Sequence, residues 1–94
     1  MVELDGQNYA YFATFDGSVF EMWTATPHKG STRWHVRHMK SARIEADKKG
    51  RRLVVDLDIS GTRGMSFSEE NQAAAERMVA AINEEIARRG HFSV

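Results

Sequence analysis

A chain of 94 residues, 41% hydrophobic and without a single cysteine, supplies one core and no disulfide, thiolate nucleophile or cysteine-held metal. That size excludes a multidomain enzyme or a pore and predicts one domain over residues 1–94. No apolar run nears the ~20 residues of a bilayer span. Met1-Val2-Glu3-Leu4-Asp5 has neither the basic start nor the apolar stretch of a signal peptide, so the expectation is a soluble, cytoplasmic protein.

Thirteen Lys and Arg balance thirteen Asp and Glu, but the balance is not local. Residues 28–52 hold nine bases (Lys29, Arg33, Arg37, Lys40, Arg43, Lys48, Lys49, Arg51, Arg52) against Glu45 and Asp47, a net +7. Residues 1–27 stand at −4 and residues 53–94 at −3. Such segregation either builds a basic face for an anion or is neutralised when basic strands pair with acidic ones.

In chain order, Tyr9 to Phe15 is aromatic and β-branched, and Ser18 to Ala25 repeats that character after Asp16-Gly17. Asp-Gly between two such runs predicts a hairpin with a two-residue type I′ turn. Thr26 to Ser31 contains the sole proline, Pro27, and reads as a loop. From Arg33 to His38, basic residues alternate with Trp34 and Val36, which predicts a strand with those two pointing inward. Alternation resumes from Ala42 to Asp47, Lys48 to Arg52 reads as a polar turn, and Leu53, Val55, Leu57 and Ile59 then mark the inner face of a further strand. Gly61 to Gly64 reads as a turn before a short strand at Met65 and Phe67.

The period then changes from two to nearly four. Ser68 stands at an N-cap position, Glu69 and Glu70 follow, and Arg88, Arg89 and Gly90 close the segment, as the helix dipole favours. Ala75, Met78, Val79, Ile82 and Ile86 form one apolar stripe, so this helix lies with one face on a sheet. The fold class is therefore α+β, antiparallel strands followed by one C-terminal helix.

Six strands, with Val2 to Leu4 as a short seventh, and one amphipathic C-terminal helix resemble the pleckstrin-homology-like (PH and GRAM-type) domain. Trp34 to Asp47, Arg51 to Ile59 and Met65-Ser66-Phe67-Ser68 leading into Glu69 to Arg89 carry the resemblance. It implies a strongly bent antiparallel sheet, almost a barrel, capped by the helix. Phosphoinositide-binding members carry a basic first hairpin loop. Here Asp16-Gly17 is short and acidic, and Asp5-Gly6-Gln7-Asn8 holds no cation.

For chemistry the sequence offers little. Gly64-Met65-Ser66-Phe67-Ser68 lacks the second glycine of a nucleophile elbow, and no Gly-rich phosphate loop, His-Glu-x-x-His or calcium loop is present. Of the four histidines, His35 and His38 fall on opposite faces of a strand, while His28 and His91 lie in a loop and the tail, so no metal or cofactor is expected. Asp56 and Asp58 share a face and read as charge partners of Arg33, Arg37 or Arg43. The expected role is binding without catalysis, to a protein or peptide or by homodimerisation, through Tyr9, Tyr11 and Trp23. The alternative is an anionic partner, a membrane surface or nucleic acid, held by Arg33, His35, Arg37, Arg43, Lys48, Lys49, Arg51 and Arg52. No small-molecule substrate is indicated.

Overall fold

The computed structural model describes residues 1–6, 11–24, 32–48, 50–58 and 61–89. Within them the chain runs β1 (Val2–Asp5), β2 (Tyr11–Phe15), β3 (Val19–Thr24), β4 (Thr32–His35), β5 (Met39–Asp47), β6 (Gly50–Leu57), β7 (Gly61–Phe67) and α1 (Gln72–Arg89). All strand pairs are antiparallel and join sequence neighbours. The α+β class and the seventh strand stand as expected. The single bent sheet does not: β1-β2-β3-β4 form one sheet and β5-β6-β7 another, and neither closes on itself. The strand expected from Arg33 to His38 stops at His35, where Val36 to His38 wind into a 3₁₀ turn that ends the first sheet. Met39 then opens β5, and its register with β6 shifts between Met39 and Ser41.

Both sheets turn their apolar residues toward a shared interior. Leu4, Ala13, Phe15 and Phe20 from the first sheet meet Met39, Leu53, Val55, Leu57, Met65 and Phe67 from the second, joined by Val36 of the 3₁₀ turn. Trp34 is half-buried against this core and stacks on Phe20 at a centroid distance of 5.9 Å. From the helix, Ala75, Met78 and Ile82 are fully enclosed and Val79 and Ile86 partly so, which is the stripe that the spacing predicted. Enclosing a side chain such as Ile82 contributes about 1.5–3 kcal/mol.

Local differences follow from turn chemistry. Gly61 to Gly64 is strand, not turn, paired in register with Leu57 to Val54 of β6, and at Gly64 the backbones approach so closely that a Cβ there would stand 2.5 Å from the Leu53 carbonyl oxygen. Arg51 and Arg52 belong to β6 rather than to the preceding turn. Ser68 has the extended backbone of an N-cap, but its hydroxyl donates to Glu70 at 3.3 Å and caps nothing. Glu69 to Asn71 form a 3₁₀ turn, so the α-helix starts only at Gln72. Ile59 lies outside the described residues.

Two asparagines bind the helical segment to the sheets. Asn71 donates from Nδ2 to the Asp5 carbonyl at the end of β1, at 3.1 Å. Asn83 grips β5: its Oδ1 accepts from the Ala42 N–H and its Nδ2 donates to the Ala42 carbonyl, each at 2.9 Å. The amide thus supplies at the edge of β5 away from β6 the two hydrogen bonds that another strand would make. Replacing Asn83 with Ala removes both, and at about 0.5–1.5 kcal/mol each the expected loss is about 1–3 kcal/mol. Urea or thermal unfolding of N83A is the measurement, with a fall in midpoint of about 4–8 °C per kcal/mol for a domain of this size.

Candidate functional site

Register decides which side chains share a surface. Across the four-stranded sheet, Val2, Phe15, Phe20 and Trp34 are aligned in one row, and Leu4, Ala13, Met22 and Thr32 in another. Both rows face the core, although Thr32 at the start of β4 is exposed and takes no part in it. Because side chains alternate, the rows between them face outward: Glu3, Thr14, Glu21 and Arg33 in one, and Asp5, Phe12 and Trp23 in the next. Phe12 and Trp23 meet ring to ring with centroids 5.5 Å apart and planes tilted by 34°. They are half-buried and take no part in the core cluster. Beside them Arg33 Nε donates to Glu21 Oε2 at 2.8 Å, while 71% of the Arg33 side chain stays exposed.

Trp23 is therefore on an outer face, as a binding residue should be, but Tyr11 is not with it. Tyr11 is 38% exposed and points to the other side of the sheet, its Cβ close to Gly6. Tyr9 lies outside the described residues. Phe12 is the partner of Trp23 that sequence reasoning missed, and the loop explains why. A two-residue Asp16-Gly17 turn would pair Phe15 with Ser18 and set Phe12 opposite Glu21. The observed connection is two residues longer, pairing Phe15 with Phe20 and Phe12 with Trp23. Asp16 makes this longer loop: its Oδ1 accepts from the N–H groups of Ser18 and Val19, both at 2.8 Å, and Gly17 takes φ 102°. Those two hydrogen bonds also hold the Asp16 carboxyl below the ordinary carboxylate range.

The basic residues do not share one surface. Arg33 belongs to the first sheet, and Arg37 to the 3₁₀ turn. On the outer face of the second sheet Arg43 bonds Asp56 through Nη1 and Glu45 through Nε and Nη2. Asp56 also accepts from Ser41 Oγ at 2.8 Å. Arg43, then Ser41, holds Asp56 ionised below its usual range against the opposing effect of burial. Arg52 lies in register with Glu45 and Ser66 on that outer face, whereas Arg51 is aligned with Ala46 and Phe67 on the inner one. Lys48 stands exposed at the hairpin tip, and Lys49 lies outside the described residues. A surface hollow of about 320 Å³, lined by Lys40, Ser41, Asp56, Leu57, Gly61 and Thr62, has its carboxylate already engaged by Arg43 and Ser41.

Of the histidines, His28 and His91 lie outside the described residues. His35 ends β4 and acts as a cap: its Nδ1 accepts from the Arg37 N–H at 3.1 Å, which requires the ring to be unprotonated there. Asp58, expected as a charge partner, lies past the end of β6 and donates its N–H to the His38 carbonyl at 3.0 Å.

No family model, curated protein or solved structure matches the chain significantly.

The state of His35 makes stability pH-dependent. Loss of solvation first, then Arg37, Arg89 and His38, lower its pKa from 6.5, with Asp16 opposing. The folded state therefore binds this proton more weakly than the unfolded chain, so stability falls as pH drops below 6.5 and stops falling once the folded value is passed. In His35→Asn, whose Oδ1 can accept the same Arg37 N–H, this component should vanish. Thermal midpoints between pH ~7.5 and ~5 provide the comparison, and an unchanged slope in the variant would refute it.

Proposed function

We propose that this chain is a non-catalytic binding module of the PH-like type that acts through protein or peptide contacts, or by self-association, on the outer face of the four-stranded sheet. Seven antiparallel strands arranged as four plus three, followed by one C-terminal helix, support the PH-like reading. The observation that carries the binding reading is the Phe12–Trp23 pair, two large rings outside the core and flanked by Glu3, Glu21 and Arg33. Paired aromatics with a polar surround have the composition of an interface centre and rim, because rigid rings add contact area at small entropic cost. Basic residues spread over two sheets, with Arg33 and Arg43 already held by acids, favour this over an anionic membrane surface or nucleic acid. The cytoplasm is the compartment that goes with this proposal. Among the described residues, no helix is long and apolar enough to cross a membrane.

Selection of ligands from a random peptide library supplies the test. Selected peptides should bind with little dependence on salt and lose at least about tenfold, or 1.4 kcal/mol, in both Phe12→Ala and Trp23→Ala, with the circular dichroism of the fold retained. Ligands that are indifferent to both changes, or that dissociate steeply with salt and depend on Arg51 and Arg52, would place binding elsewhere and overturn the reading.

A further inference from the structure

We propose, building on the aromatic-face reading above, that the occupant of this face is a second copy of the chain, packed sheet to sheet about a two-fold axis parallel to the strands. The order of side chains across the sheet carries the inference. From β1 to β4 the outward row reads Glu3, Thr14, Glu21, Arg33, with an acid at one edge and a base at the other. The adjacent row reads Asp5, Phe12, Trp23, with the rings on the two central strands.

A two-fold axis running along the strands between β2 and β3 lays β1 over β4 of the other copy and β2 over β3. Each Glu3 then faces an Arg33, twice by symmetry, and each Phe12 faces a Trp23 next to the axis. Axes lying across the strands do the reverse. Placed on the first row, such an axis sets Glu3 on Glu3 and Arg33 on Arg33. Placed on the second, it sets Asp5 on Asp5, and placed between them it sets Glu3 on Asp5. The row order thus favours one symmetric arrangement and burdens the others with like charges.

The distances allow it. Strands lie about 4.8 Å apart, so β1 and β4 stand about 7 Å from the axis. Aligned sheets cross at about 30°, which displaces those edges by about 3–4 Å and the rings by only about 1 Å. An Arg33 side chain that is 71% exposed and held only at one edge of its guanidinium, through Nε to Glu21, can span the edge displacement.

Sedimentation equilibrium on the full chain tests the arrangement with Glu3→Arg, Arg33→Glu and the double exchange. The unmodified chain should dimerise, and each single reversal should weaken the dimer at least about tenfold, since it sets like charges opposite one another at both ends of the face. The double exchange should recover most of that loss. Arg33→Glu also faces Glu21 within its own chain, but that cost appears in thermal unfolding of the dilute monomer and is measured separately. A chain that stays monomeric at high concentration, or a double exchange that dimerises no better than the singles, overturns the second copy as occupant. In either case peptides that still depend on Phe12 and Trp23 would leave the aromatic-face reading standing. A dimer indifferent to charge reversal and to Trp23→Ala would defeat both.

Discussion

The structure depends on the apolar stripe of the C-terminal helix filling the space between two sheets. Ala75, Met78 and Ile82 lie in one buried cluster with Leu4, Ala13 and Phe15 of the first sheet and Met39, Ala42 and Leu53 of the second. Strands β4 and β5 follow one another in sequence but belong to different sheets, separated by the 3₁₀ turn at Val36 to His38. The helix is therefore what gives both sheets a common interior. Polar contacts hold it in place at several points: Asn71 on β1, Asn83 on β5, and Arg89 on the β2–β3 loop, where its Nη2 donates to the Gly17 carbonyl at 3.2 Å and to Ser18 Oγ at 3.0 Å. Arg88 and Arg89 also share Glu85, and their hydrogen bonds hold its carboxyl at a pKa of about 2. Once the inner faces are assigned in this way, alternation leaves Phe12 and Trp23 outside.

Inside and outside were largely legible in the sequence, because period-2 and helical patterns report directly on which face is wet. Leu53, Val55 and Leu57 are buried as read, and so is the helix stripe. Val54 is 4% exposed although it is on the outward side of β6, and alternation alone has no means of foreseeing this. It lies between Arg43 and the bare backbone of Gly64 in register. A side-chain stem is able to cover an apolar neighbour on a nominally polar face. The surroundings of Val54 are set by its cross-strand neighbours, and so by information not contained in the strand's own sequence.

Register was less legible than face, for a related reason. Lengthening the Asp16 loop by two residues leaves every side chain on the same side of the sheet but exchanges all its cross-strand neighbours. Phe12 faces outward under either pairing, yet only the longer loop gives it Trp23 as its neighbour. The difference rests on Asp16 accepting two backbone N–H groups, a hydrogen-bonding choice that an Asp-Gly pair does not announce. Of the candidate site, Trp23 was thus visible in the sequence, while Phe12 as its partner was not. Asn83 was hidden in another way: a polar residue beside an apolar stripe looks like ordinary helix surface until the strand edge it grips is known.

The uneven charge along the chain follows from the same connectivity. In a succession of antiparallel neighbours, the middle of the sequence must pair with what immediately precedes and follows it. The basic stretch spans β4 and β5, so its partners are β3, which belongs to the acidic first segment, and β6, which leads into the acidic last one. Arg33 accordingly meets Glu21 across β3–β4, and Arg43 meets Asp56 across β5–β6. A net +7 over residues 28–52 is in this way partly discharged within the fold. At the edge of the first sheet, however, only one side of Arg33 has a neighbouring strand, and most of its side chain remains exposed. Glu3 holds the opposite edge with no base across from it on β2, where Thr14 lies in register. Charged side chains on that sheet thus stand at its two margins with opposite signs, Glu3 on β1 and the Glu21-bound Arg33 on β4, with the Phe12–Trp23 pair on the strands between them. A surface with that order is complementary to its own reversed copy.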